Sequence, residues 1–516
     1  MDKRTRNALL VLSVILAYGF CLRFHGLSQH GTNGDEVSCL MAATGIRDGS
    51  LRDVYNLPWL EDTLRSPRLD FDQTFYHKQN KLVNVFPANA QQDAGNGMAF
   101  DIILHLWIKS FGAADESVRF LTLVCTWLSI LAVFWLARIL SQSNAAGLAA
   151  ALLLAAHPAC IEQSHVLRSY GLAALGCVAA TIALEKALKS ERWYYWLIYG
   201  STCALTLLSH YLTVYIFFVH GLRMLSTKNR SHWRSYLFAL IVAGILLGAW
   251  MVPFGLKGMQ LVSLQNERIA YYVEHPTPGY LWCKAVTPQS VKDGWDVLLH
   301  YISGTYIELP DGWQHMTPCF FWLIASILFA GMLLLTRKRS TRGPLFYLMA
   351  LAISAPVSAT ILAIKSGHQT AFMSRYSFFS VPFFCAFYGC VLIGLDRAIA
   401  NIDRKLLWIT RPAMFVLLIT VQLYSLPSAY IDSHLPNPYE TLARTVRQVY
   451  KSGNLLILPT WYDAQRLNRY LPDKPSILQR VDATVGDKVL LLDQKGGETS
   501  DKGNVIFSFE GETYRY

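Results

Sequence analysis

Runs of apolar residues long enough to cross a bilayer, roughly 17 to 25 residues each, recur from residue 8 to residue 430, with mostly short polar stretches between them. Read in order they predict about eleven spans: 8–24, 117–138, 145–160, 167–187, 193–208, 211–225, 234–255, 318–336, 343–364, 376–395 and 409–430. Two longer intervals, 25–116 and 256–317, break this rhythm, and a polar tail runs from 431 to 516. In the tail, Leu442, Val446 and Val449 fall on one helical face. Leu455-Leu456-Ile457-Leu458 reads as a strand ended by Pro459, followed by a second helix near 464–470 and strands at 489–492 and 505–509. The expected architecture is an all-α polytopic membrane domain over 1–430 and a small α/β domain over 431–516. The tail has no glycine-rich phosphate loop, so a lid or docking role is expected of it rather than catalysis.

The first long interval has its own pattern. After Gly34-Asp35-Glu36, residues Val37, Leu40, Met41 and Thr44 recur at helical spacing, which predicts a helix that starts at the acidic pair and lies along the membrane surface. Asp35 then stands where an N-cap belongs, and capping alone would account for it. Further on, Phe100, Ile103, Leu104, Trp107 and Phe111 form an apolar face, with Asp101, His105 and Lys109 as a polar stripe. That stripe reads first as a solvated face, and second as part of a site roofed by the two helices.

Composition sharpens the class. Of 516 residues 53% are hydrophobic and 16% charged, against about 25% charged in a soluble domain. The net charge of +11 would suggest nucleic acid in a soluble protein, but here the cations sit in clusters between apolar runs. Lys3, Arg4 and Arg6, then Lys186, Lys189 and Arg192, then Arg223, Lys228, Arg230 and Arg234, then Arg337, Lys338, Arg339 and Arg342, and finally Arg397, Arg404, Lys405 and Arg411 fall on alternate loops. Positive charge marks the cytoplasmic side. The N-terminus is therefore expected inside, and both long intervals and the tail outside. The first run lacks a small-x-small cleavage site and is expected to remain as a span. The ten cysteines lie mostly within apolar runs without metal-ligand spacing, and read as small buried hydrophobes.

This topology gathers several polar residues at the outer ends of spans: His165, Arg168 and Tyr170, then His210 and Tyr211, then His368, Arg375 and Tyr376. Ionisable residues at membrane depth are costly and point to function, although Arg and Tyr at a span end also serve as interface anchors. A carboxylate on the same side as several cations suits sugar transfer from a polyprenyl phosphate to an acceptor hydroxyl. The leaving group is already a phosphate, so the pair of carboxylates of a glycosidase is not needed. One carboxylate base takes the acceptor proton, and cations hold the phosphate as its charge grows.

At these residues the chain resembles the bacterial protein-mannosyltransferase-like branch of the GT-C glycosyltransferases, which includes the lipid A aminoarabinose transferases. Asp35-Glu36 looks like the family's Asp-Glu motif, whose Asp is catalytic. Residues 103–112 with Arg119 are similar to its loop helix leading into the second span. Leu167-Arg168-Ser169-Tyr170-Gly171-Leu172, Ser209-His210-Tyr211 and Ser374-Arg375-Tyr376 with Pro382 look like its Arg-x-Tyr, His-Tyr and Arg-Tyr elements. Two departures stand out: Asn96-Gly97-Met98 replaces a frequent Pro-Pro pair, and Val166 replaces a frequent Glu.

The resemblance implies a GT-C membrane fold and inverting transfer from a polyprenyl-phosphate carrier to a glycan, lipid or protein outside a bacterial inner membrane. It implies Asp35 and Glu36 as the catalytic pair and Arg375, Tyr376, Arg168 and Tyr170 as lipid-phosphate ligands. His165, His210, Tyr211, His368, Asp101 and His105 are expected to line the substrate cavity. No cofactor is required by this chemistry, and a divalent cation stays open beside none. Two other readings remain. A flippase for lipid-linked sugars would share the basic outer cavity but calls for broken helices and repeats. A scaffold displaying the tail would leave the acidic pair and outer cations without a purpose.

Overall fold

The computed structural model describes residues 3–27, 34–47, 57, 81–190, 192–276, 283–304, 331, 339–403, 405, 407–412, 426 and 430, and strands at 454–458, 476–479, 488–493 and 504–508. The expected span 318–336, the expected helices of the tail and most of the expected span 409–430 lie outside the described residues. In chain order the helices are α1 (Lys3–Phe24), α2 (Gly34–Thr44), α3 (Val85–Gln92), α4 (Ala99–Phe111), α5 (Asp115–Ser141), α6 (Asn144–Ala155) and α7 (Pro158–His165). They continue as α8 (Tyr170–Ala187), α9 (Trp193–Ser209), α10 (Val214–Met224), α11 (Trp233–Trp250), α12 (Leu256–Glu274), α13 (Pro288–Ser303), α14 (Arg339–Ser366) and α15 (Val381–Ile402). Among the described residues six helical stretches are long and apolar enough to cross a membrane, or seven if the bent pair α6–α7 is one span. The chain is a multi-pass membrane protein.

The α6–α7 pair corrects the expected single span at 145–160: the two helices are bent by 53° at a short break. Pro158 is the reason. A residue before proline is pushed out of the helical region, and His157 is extended at φ −68° and ψ 122°, with Pro158 opening α7. A second correction concerns residue 256, where a loop was expected. Met251–Gly255 instead forms a π-helical turn containing Pro253. Proline withholds a backbone donor and displaces the preceding turn, and the helix then continues as α12 to Glu274.

The chain divides into two compact units, Met1–His25 with Gly95–Phe100 and Arg119–Ile431, and Gly26–Ala94 with Asp101–Val118 and Asp432–Tyr516. The first unit is a helical bundle. Its main core joins Leu12 and Ile15 of α1, Ile130 and Phe134 of α5, Ala150 and Leu154 of α6, Leu348 of α14, and Phe383 and Ala386 of α15. Small residues let backbones approach, as membrane bundles require: a Cβ on Gly200 of α9 would collide with the Ala239 carbonyl of α11. On the other side of α11, Leu237, Phe238, Ile241 and Ile245 are exposed, a surface suited to lipid.

In the second unit, α4 buries part of each expected stripe: Phe100 and Leu104 of the apolar face lie inward together with Asp101 and His105 of the polar one, while Lys109 and Phe111 are exposed. Asp101 and His105 are therefore not on a solvated face. The tail holds a four-stranded sheet of order β2-β1-β3-β4, with β1 (Asn454–Leu458), β2 (Ser476–Gln479), β3 (Lys488–Asp493) and β4 (Asn504–Ser508). Strand β1 pairs parallel to β2, with Leu456 opposite Ile477, and antiparallel to β3, with Leu456 opposite Leu491. The strands at β1, β3 and β4 match expectation within a residue or two, whereas β2 is a strand the apolar pattern did not reveal.

Candidate functional site

In the first unit the N-terminal ends of α8 and α15 and the C-terminal end of α9 supply one cluster. Arg168 lies two residues before α8, in the short extended stretch that follows α7, and is 8% exposed. Its guanidinium sits 6.0 Å from the Tyr170 ring centroid. The Tyr170 ring lies 5.3 Å from His210 and 6.5 Å from Tyr376. The Arg375 guanidinium is 5.6 Å from the Tyr376 ring, and Arg375 and Tyr376 belong to the 3-10 turn Ser374–Ser380 that leads into α15. Both cation–aromatic distances are within the range at which the ring quadrupole attracts a cation.

His210 is the hub. It closes α9, and its Nδ1 accepts from the Leu212 amide at 3.3 Å. Its ring also meets Tyr376 at 6.2 Å and Phe379 at 5.0 Å. Burial, and then the positive charges of Arg168 and Arg375, push its imidazole down to about 3.

Around this hub, Tyr215 Oη donates to the Tyr376 carbonyl at 2.7 Å. Ser169 Oγ donates to Asn96 Oδ1 at 3.2 Å, and a Cβ on Gly97 would collide with the Leu208 carbonyl at the end of α9. The Asn96-Gly97 departure from the family pattern is therefore a seam: a small residue lets the segment press against the helix end, and the amide holds Ser169.

Other expected cavity residues are engaged elsewhere in this unit. His165 Nε2 donates to the Arg23 carbonyl at 2.9 Å. Tyr211 Oη accepts from Trp250 Nε1 at 2.8 Å. His368 is buried beside the α13–α14 side of the bundle, 2.6 Å from Thr370 Oγ1 through Nδ1, and burial lowers its basicity.

The second unit carries the acidic residues. Asp35 and Glu36 lie in the first turn of α2, inside the helix rather than at its cap; Asp35 is partly exposed and Glu36 fully buried. Carboxylates in a first turn are favoured by the helix dipole. One turn on, the Cys39 thiol donates to Asp101 Oδ1 at 3.2 Å, and Asn89 Nδ2 donates to Asp101 Oδ2 at 2.7 Å. His105 Nδ1 lies 2.8 Å from the Ala43 carbonyl, and burial is the main cause of its lowered basicity, with Lys109 adding to it. Asp93 completes a buried group in which one ligand atom each from Cys39, Asp93 and Asp101 lies within 4.8 Å of the others.

That mixed thiol and carboxylate set fits a thiophilic divalent cation such as zinc, and not magnesium or calcium, which take oxygen ligands. Loading it would require Cys39 to give up the proton it now shares with Asp101. Cys39, Asn89 and Asp93 were not singled out from the sequence. The signal for Cys39 was its place four residues after Asp35 on one helical face; Asn89 and Asp93 lie in a stretch without periodicity.

Residues 96–253, which contain Asn96, Arg168, Tyr170 and His210, match the family described as dolichyl-phosphate-mannose-protein mannosyltransferase. No curated protein matches the chain by sequence. Among solved structures, the chain is similar to ArnT from Cupriavidus metallidurans in the apo state, with TM-score 0.53 and 15% identity over 93% of this chain and 87% of that one. ArnT bound to undecaprenyl phosphate gives TM-score 0.52 and 13% identity over the same shares. The apo oligosaccharyltransferase of Archaeoglobus fulgidus gives TM-score 0.51 and 14% identity, over 93% of this chain and 65% of the archaeal one. This chain thus spans less than two thirds of that relative, and at these identities the likeness is one of fold. The protein shares the membrane fold of these structures, and its residues 96–253 carry the match to the mannosyltransferase family.

Proposed function

We propose that this protein is a membrane glycosyltransferase that moves one sugar from a polyprenyl-phosphate carrier to a hydroxyl of an extracytoplasmic glycan, lipid or protein, with inversion at the anomeric carbon. The observation that carries this reading is the ring cluster of Tyr170, His210 and Tyr376, with the Arg168 guanidinium against Tyr170 and the Arg375 guanidinium against Tyr376. Guanidinium groups grip phosphate through two oxygens at once, which suits such a cluster to a phosphate. The rings give apolar and quadrupolar walls suited to a lipid headgroup. The family description and the lipid phosphate bound in ArnT support the same ligand class.

In the proposed reaction the acceptor oxygen bonds to the anomeric carbon as the bond from that carbon to phosphate oxygen breaks. Asp35 takes the acceptor proton, and polyprenyl phosphate leaves with its charge held by Arg375 and Arg168. Glu36, fully buried in the same first turn, is the second member of the proposed catalytic pair. His210 stays neutral and serves as a donor or a wall rather than a base. No step requires a metal; the Cys39, Asp93 and Asp101 group is the place where a divalent cation would be held. We further propose a bacterial inner-membrane location with a cytoplasmic N-terminus, both long intervals and the 431–516 domain outside.

The test is deletion of the gene followed by mass comparison of surface glycans, lipid A and glycoproteins. Loss of one sugar, restored by the wild-type chain and not by Asp35→Asn, supports the reading. The flippase alternative draws on the broken helix α6–α7. It predicts that the Asp35→Asn chain restores the sugar and that the purified chain moves a lipid-linked sugar across vesicles without consuming it.

A further inference from the structure

We propose that Arg23 is a positioning residue for the lipid-phosphate cluster, holding both ends of the short helix that leads to Arg168 and Tyr170. The inference rests on the phosphate reading of that cluster. Arg23 closes α1 and is fully buried. A guanidinium buried within a membrane protein is costly unless its donors are used. Its Nη1 donates to the Gly19 carbonyl of its own helix at 2.9 Å and to the Ala155 carbonyl at 2.7 Å, and its Nη2 donates to the Leu154 carbonyl at 3.0 Å.

Leu154 and Ala155 end α6 just before the break. The last carbonyls of a helix lack intrahelical partners and carry the negative end of its dipole. Arg23 therefore caps α6 from a different helix, at the place where Pro158 turns the chain. At the far end of α7, His165 Nε2 donates to the backbone carbonyl of the same Arg23 at 2.9 Å. Thr122 Oγ1 donates to the neighbouring Ser164 carbonyl at 2.8 Å. One residue thus fixes α7 twice, by side chain before it and by main chain after it, and Arg168 follows His165 by three residues. Lysine cannot reproduce the side-chain part, because a single ammonium lacks the planar fork that reaches carbonyls on two helices.

The test is equilibrium binding of undecaprenyl phosphate to the full chain in detergent, for wild type, Arg23→Lys, Arg168→Lys and the double variant, with thermal stability measured on each. We expect each single variant to bind about tenfold more weakly and the double variant no more weakly than the worse single one, since residues that act as a unit are not additive. Wild-type affinity in Arg23→Lys beside weakened Arg168→Lys overturns the proposal and leaves Arg23 as a fold residue only. Losses that multiply in the double variant also overturn it. Wild-type affinity in Arg168→Lys removes the phosphate reading itself, a distinct failure. Should Arg23→Lys not insert, His165→Phe leaves the guanidinium in place and removes only the bond to the Arg23 carbonyl, with the same outcomes expected.

Discussion

The arginine cluster of the first unit and the acidic group of the second are built on opposite rules. Around His210 the charged groups are cations at helix ends, walled by Tyr170, Tyr376 and Phe379, with arginines acting on one ring. Around Asp101 the groups are a thiol, an amide and carboxylates, linked by short hydrogen bonds between α2, α3 and α4. Guanidinium forks set against aromatic rings suit a phosphate. A carboxylate whose two oxygens already receive donors is placed rather than poised. The proposed reaction accordingly draws its binding groups from the first region and its base, Asp35 in the same helix as Cys39, from the second.

The comparison breaks most sharply at Asp35. Asp35→Asn keeps the shape and the dipole-facing oxygen but removes the base, so transfer should fall by about 10²-fold or more while affinity for undecaprenyl phosphate stays unchanged. A folded variant with wild-type restoration of the surface sugar would dismiss the base role. Arg375→Lys should act in the other direction, weakening lipid-phosphate binding about tenfold through loss of the bidentate grip. An interface anchor would tolerate lysine, which also snorkels, so unchanged binding would reduce Arg375 to that role.

Smaller effects sharpen the same contrast. Cys39→Ala removes one donor to Asp101 and should cost about 1 kcal/mol of stability, read as a lower Tm, with transfer insensitive to chelators in both forms. Loss of transfer on chelation, restored by zinc, would move the Cys39 group into the reaction. The remaining effect concerns pH. Folding pushes His210 from 6.5 down to about 3, so between these values the unfolded chain binds a proton there that the folded chain does not. Stability therefore falls as pH drops through that window and rises with pH across it. His210→Gln should flatten the dependence of Tm on pH between 6.5 and 4, and an unchanged slope would show that the ring is not held in its uncharged form.

Much of this was legible in the sequence because span-length apolar runs and helix-end cations are local signals. Arg168, Tyr170, His210, Arg375 and Tyr376 were all named from position alone, and they meet. The misreadings had local physical causes too. Pro158 breaks the third apolar run, yet its flanks are apolar enough to hide the bend. On α4 both stripes were visible, but that Asp101 and His105 turn inward while Lys109 does not depends on partners in α2 and α3 far away in sequence. The bonds of His165 to Arg23 and of Tyr211 to Trp250 join residues 142 and 39 positions apart, and no spacing rule reaches that far.

The central claim is that the arginine cluster holds the carrier phosphate while Asp35 serves only the chemistry. Its most direct test is calorimetric binding of undecaprenyl phosphate to the purified full chain, comparing wild type, Arg375→Lys with Arg168→Lys, and Asp35→Asn. Wild type and Asp35→Asn should bind saturably with equal affinity, and the double arginine variant should lose nearly all binding. Equal affinity in all three, or binding lost only in Asp35→Asn, would contradict it.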